Sequence, residues 1–90
     1  MYRYKRGVNA DYNRQGYIYF LSRQYAKLSR EKQSEIRRLC REAGEEYARA
    51  LFEFVTTDTT AAAICMRHYI SKATLYRTVK KYYEEFPKEL

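Results

Sequence analysis

Residues Tyr69 to Tyr83 read YISKATLYRTVKKYY, and this stretch decides the fold by setting four cations and four tyrosines onto a helical period. At about 100° per residue, Leu75 and Val79 fall on one side of such a helix, and Tyr82 and Phe86 continue that side. Ala73, Tyr76, Arg77 and Lys80 project from the opposite side, with Ser71, Lys72 and Thr74 gathered at the helix start. One face is suited to a core. The other is basic and left for a partner. Ser71 predicts an N-cap, the helix is expected over residues 72 to 85, and Pro87 ends it shortly after.

Working back from there, TTDTT at residues 56 to 60 disfavours helix, because consecutive β-branched residues are stiff and the side-chain oxygens compete for backbone donors. Thr60 or Asp58 is expected to start a short helix over about residues 60 to 68, with Ala61, Ile64, Cys65 and His68 on its inner stripe. Ser29 predicts the cap of a longer helix. Its stripe of Ile36, Cys40, Ala43, Tyr47, Ala50 and Phe54 keeps phase across Gly44. A glycine costs about 1 kcal/mol inside a helix, and a break or bend is expected at Gly44. Asp11 or Asn13 would cap a first helix with Ile18, Leu21, Tyr25 and Leu28 inward, preceded by an irregular basic arm. One proline and three glycines are too few for a turn-rich β fold. The expected fold is therefore all-α, a small bundle of four to five helices ending in a helix-turn-helix. Its parts are an arm (1–10), a helical platform (11–57) and a two-helix unit (58–90).

Ninety residues carry a formal charge of +7, unevenly spread. Residues 1 to 41 hold eleven Lys/Arg against three Asp/Glu, residues 42 to 66 one against five, and residues 67 to 90 six against three. Two basic ends flank an acidic middle, and basic surfaces concentrate polyanions. Cys40 and Cys65 are too few for a disulfide framework and sit on apolar stripes, which predicts reduced, structural thiols. The polar opening MYRYKRGVNADYNRQ lacks the apolar segment of a signal peptide, and no apolar run approaches a membrane span. A cytoplasmic, nucleoid-associated protein without a membrane partner is expected.

Two short helices with a three-residue joint, the second opening with polar residues after a buried aliphatic, match the requirements of a DNA-binding helix-turn-helix. Ile64 and Cys65 supply an aliphatic and a small residue where the helices cross. Ile70 supplies the plug beneath the joint, and Leu75 and Val79 the inner stripe. A major groove admits one helix, so Thr74, Tyr76 and Arg77, with Ala73 and Ser71, are the candidate base readers, and Lys72, Lys80 and Lys81 the phosphate contacts. Arg3, Lys5 and Arg6 in the arm, and Arg67, are candidates for backbone or minor-groove contact. A solvated, disordered arm is the plainer alternative.

The segment FVTTDTTAAAICMRHYISKATLYRTV resembles the helix-turn-helix of the sporulation stage III D transcriptional regulators, and more loosely that of sigma-factor region four. The matching positions are Val55, Thr57, Thr60, Ile64, Ile70, Ser71, Lys72, Thr74, Leu75, Tyr76, Arg77 and Val79, without a gap, within residues 55 to 86. The resemblance implies sequence-specific binding of double-stranded DNA by a bacterial or prophage-type regulator, with the helix from Ser71 to Glu85 as recognition helix. Tyr69 departs from it, standing where such motifs carry a left-handed glycine, and His68 and Cys65 replace an apolar residue and an alanine.

Other readings of these residues compete with this one. A generic bundle could share the spacing. The eleven tyrosines could stack single-stranded bases, although on stripes with Leu, Ile and Phe they read as core and core rim. Cys65 and His68 lie one turn apart, yet a structural zinc site takes four ligands, and a basic chain of this length offers no evident catalytic cleft. Neither enzyme activity nor a cofactor, metal or small-molecule ligand is expected. The alternative function is a helical protein-interaction adaptor, docking through its acidic 42–58 surface or its basic ridge around Arg37, Arg38 and Arg41. A homodimer on a two-fold site is the expected assembly, with the tyrosine-rich first helix as the pairing surface.

Overall fold

The computed structural model describes residues 4–90 and contains five α-helices and no strand among them: α1 (Tyr12–Arg23), α2 (Arg30–Gly44), α3 (Ala48–Thr56), α4 (Ala61–His68) and α5 (Lys72–Glu85). Short 3-10 turns, Tyr25–Lys27 and Glu45–Tyr47, link the first three helices. Four of the five start on a side-chain cap. Asp11, Ser29, Thr60 and Ser71 each accept a hydrogen bond from the backbone N–H three residues on. Each such cap is worth about 1 kcal/mol. The helix boundaries near residues 60 and 71 thus follow from local chemistry.

The core forms where the apolar stripes meet. Ile36, Leu39, Cys40 and Ala43 of α2 face Ala50, Leu51 and Val55 of α3, and Leu75, Val79, Tyr82 and Tyr83 of α5 close over them. Ile18 of α1 and Ile64 of α4 are fully buried. Burying side chains of this size contributes roughly 1.5 to 3 kcal/mol each. Burial also pushes the Cys40 thiol up to about 12, which leaves it an inert filler.

The chain does break near Gly44, and the residue that turns it is Glu45, at φ 52° and ψ −120°. The unbroken stripe of the sequence is corrected here. Beyond the turn the phase shifts, so Leu51 and Val55 enter the core fully, whereas Tyr47 and Phe54 are half-buried. Gly44 is itself right-handed, at φ −91°. Its missing side chain leaves room for Leu51, whose Cδ2 would lie 3.4 Å from an added Cβ. The α1 stripe is corrected likewise. It ends at Arg23, and Tyr25 belongs to the following turn, where its ring meets Phe52 edge-on at 4.9 Å.

Residues 4–10 form no separate arm. Val8 joins the core, and the fully buried Gln15 donates from Nε2 to the carbonyls of Lys5 (3.1 Å) and Ala10 (2.9 Å) while accepting from the Lys5 N–H (2.7 Å). The Asn9 N–H donates to Glu84 at 2.8 Å, and Arg14 donates to the carbonyls of Phe86 and Pro87 at 2.9 and 3.0 Å. Residues 5–10 are thereby tied to α1 and α5, and the segment after α5 is tied to α1. Inside, Ser22 Oγ and Tyr82 Oη share a buried hydrogen bond of 2.7 Å, and burial raises the Tyr82 phenol far beyond its ordinary range. No helix among the described residues is long and apolar enough to cross a membrane.

Candidate nucleic-acid interface

The joint between α4 and α5 is Tyr69, Ile70 and Ser71. Tyr69 occupies the left-handed region at φ 58° and ψ 46°, the conformation for which the motif normally uses glycine. The N–H groups of Tyr69 and Ile70 both donate to the Cys65 carbonyl, which closes α4. With its backbone turned this way, Tyr69 sends its side chain into solvent, 94% exposed, and Ile70 packs beneath the turn against the core. Ser71 Oγ then accepts from the Thr74 N–H at 3.1 Å and donates to Thr74 Oγ1 at 2.9 Å.

From that cap α5 runs with Leu75, Thr78, Val79, Tyr82 and Tyr83 buried. Ser71, Lys72, Ala73, Tyr76, Arg77 and Lys80 are exposed. The two faces expected of this helix are both present. Phe54 of α3 meets the Tyr76 ring edge-on at 6.3 Å, so the platform steadies a side chain of the outer face. Thr74 is half-buried and its hydroxyl oxygen accepts from Ser71 within the cap, which leaves its O–H proton and its methyl for a partner.

Two walls flank the outer face. On one side, the segment from Lys5 to Val8 and the α5 residues Ala73, Tyr76, Arg77, Val79 and Lys80 bound an open groove of about 630 Å³. On the other, the turn around Glu45 and Glu46 meets Arg77, Thr78 and Lys81. The acidic middle of the chain is therefore placed beside the basic helix. Lys81 Nζ lies 3.6 Å from Glu45 Oε1, and Lys80 Nζ 3.9 Å from Glu84 Oε2. Arg77 has neither kind of tether among the described residues.

Several candidate backbone contacts are engaged within the chain itself. Lys5 is half-buried, with Nζ 5.2 Å from the Tyr83 ring centre. Burial, then the nearby Arg23 charge, holds its pKa below the ordinary lysine value, which marks an inward-turned ammonium. Arg67 is ion-paired with Glu53, whose other oxygen accepts from His68 Nε2 at 2.8 Å. These contacts hold the Glu53 carboxyl below its usual range, the His68 hydrogen bond most of all, and fasten α4 onto α3. Lys81 is tethered as described, and Arg3 lies outside the described residues. Of the four backbone candidates, Arg6 and Arg67 are described and exposed, and Arg67 is the one held in an ion pair. On α2, Arg38 is taken up by Glu35 and by Glu42 at 2.7 Å, so it is no part of a free basic ridge.

Two contributors escaped the sequence reading. Gln15 orients the segment that walls the groove, and Phe54 steadies Tyr76; neither carries a sequence signal beyond ordinary helix periodicity. Among the described residues, no group of three or more His, Cys, Asp and Glu side chains could hold a metal ion. No family model, curated protein or solved structure matches this chain.

Proposed function

We propose that the protein binds double-stranded DNA sequence-specifically as a transcriptional regulator, with α5 as the recognition helix. One observation carries this reading. The capped start and outer face of α5 present Ser71, Lys72, Ala73, Tyr76, Arg77 and Lys80 together to solvent, while the opposite face is locked into the core. A helix anchored in this way can enter a B-form major groove without disturbing the fold. Arg77, free of carboxylate partners among the described residues and near mid-helix, suits bidentate contact with a guanine edge, and Tyr76 and Ala73 suit apolar contact with a thymine methyl. Lys72 and Lys80 neutralise phosphate on either side, Arg6 follows the backbone along the groove wall, and Lys81 contributes once its Glu45 tether yields. A nucleoid location and pairing of two copies on a two-fold site belong to the same proposal.

The test is selection of bound sequences from a randomised duplex pool, followed by titration of the preferred and a random duplex with the parent protein and Arg77→Ala. The substitution is expected to cost about 1 to 3 kcal/mol on the preferred duplex and much less on the random one. Equal losses on both would remove Arg77 from readout. Failure to enrich any sequence would end the proposal.

A further inference from the structure

Away from α5, a shallow cavity of about 230 Å³ lies on the flank of the α2 and α3 pair, lined by Arg37, Cys40, Arg41, Ala48, Arg49 and Phe52. Its floor is carbon and sulfur, from Cys40, Ala48 and Phe52. Its rim is three exposed guanidinium groups. The neighbouring Arg38 shows what a satisfied arginine on this helix looks like, with Glu35 on one side and Glu42 on the other. Arg37 donates only to the Tyr25 hydroxyl, and none of Arg37, Arg41 and Arg49 has a carboxylate partner among the described residues. Arg37 and Arg41 are moreover one helical turn apart, a spacing at which like charges repel. The free protein thus holds three mutually repelling cations around a small apolar floor, a combination relieved by a partner with the opposite charge and an apolar anchor.

We propose that this cavity is a protein-docking site for an acidic amphipathic segment, whose carboxylates pair with Arg37, Arg41 and Arg49 while one Leu or Phe side chain covers Cys40, Ala48 and Phe52. Guanidinium groups pair carboxylates in bidentate fashion, and a central apolar anchor inside a polar rim is the usual anatomy of a small recognition site. A nucleic-acid phosphate would satisfy the rim but gain nothing from the floor. A second copy of this chain is a poor occupant, since each carries a net charge of +7. The site lies on α2 and α3, so it stands whether or not α5 reads DNA.

The probe is a fluorescein-labelled synthetic helix of Glu, Asp and Ala carrying Phe and two Leu at helical spacing, titrated by anisotropy at about 0.1 M salt, where distant charges are screened. Micromolar binding is expected, weakened about tenfold or more by Arg41→Glu combined with Arg49→Glu, since each reversal replaces attraction by repulsion. Ala48→Gln, which crowds the floor without altering charge, should weaken it too. Thermal melting of the variants, expected to match the parent, separates loss of the site from loss of the fold. Equal affinity for an acidic control peptide lacking Phe and Leu would overturn the proposal, as would displacement of the peptide by random duplex. So would absence of binding, or a dimer of the free protein that Arg41→Glu dissolves.

Discussion

Replacing Tyr69 by glycine should make the protein more stable, although it deletes the largest side chain in the joint. A non-glycine residue in the left-handed region costs about 1 to 2 kcal/mol, because Cβ crowds the carbonyl oxygen. Tyr69 sits in that region at φ 58° and ψ 46°. Its ring gives little in return, being 94% exposed. Glycine adds freedom to the unfolded chain, which returns about 0.4 to 1 kcal/mol of the gain. The mid-values of the two ranges leave a net stabilisation of roughly 0.8 kcal/mol, and their extremes span about 0 to 1.6 kcal/mol. For a domain of this size the mid-value corresponds to a rise in Tm of about 3 to 6 °C. Urea and thermal denaturation followed by far-UV circular dichroism would measure it. Tyr69→Val provides the opposite control, since a β-branched residue tolerates positive φ least and should lower Tm. A Tyr69→Gly protein that melts below the parent, or a Tyr69→Val protein that matches it, would refute the left-handed joint and the placement of α5 that depends on it.

The paired core hydroxyls offer a second measurement: Tyr82→Phe strands the buried Ser22 hydroxyl and should cost about 1 to 3 kcal/mol, and adding Ser22→Ala should cost less than the sum of the single changes. Glu53→Gln should remove about 1 kcal/mol or less at neutral pH, given the solvent access of the pair. Because the folded Glu53 carboxyl is held below its ordinary 4.5, that contribution is complete above this pH and lost as pH falls through the depressed value. Parent and Glu53→Gln stabilities should therefore converge on acidification, and a gap that stays constant with pH would contradict the carboxylate's role. Glu45→Gln frees Lys81, so random-duplex affinity should rise and the slope of log affinity against log salt should steepen by about one. An unchanged slope would show that Lys81 stays away from phosphate.

Helix starts were legible because caps act within three or four residues: Ser29, Thr60 and Ser71 each announce a boundary that the structure keeps. The division of α5 was legible for the same kind of reason, since helix geometry alone separates Leu75 and Val79 from Ala73, Tyr76, Arg77 and Lys80. Charge pairing was not. Arg38, Arg67 and Lys81 looked as available as Arg77, and only the meeting of distant segments showed that Glu35 and Glu42, Glu53, and Glu45 engage them.

Local sequence, then, determined an all-helical chain, the turn at residues 69 to 71 and the two-sided character of its last helix, because periodicity and capping are short-range properties of the backbone. Tertiary packing decided the phase shift after Glu45, the docking of residues 4–10 through Gln15, and which cations remain free. Those outcomes depend on partners far apart in the chain, such as Asn9 with Glu84 and Ser22 with Tyr82, whose proximity is set by closure of the whole core rather than by any local stretch.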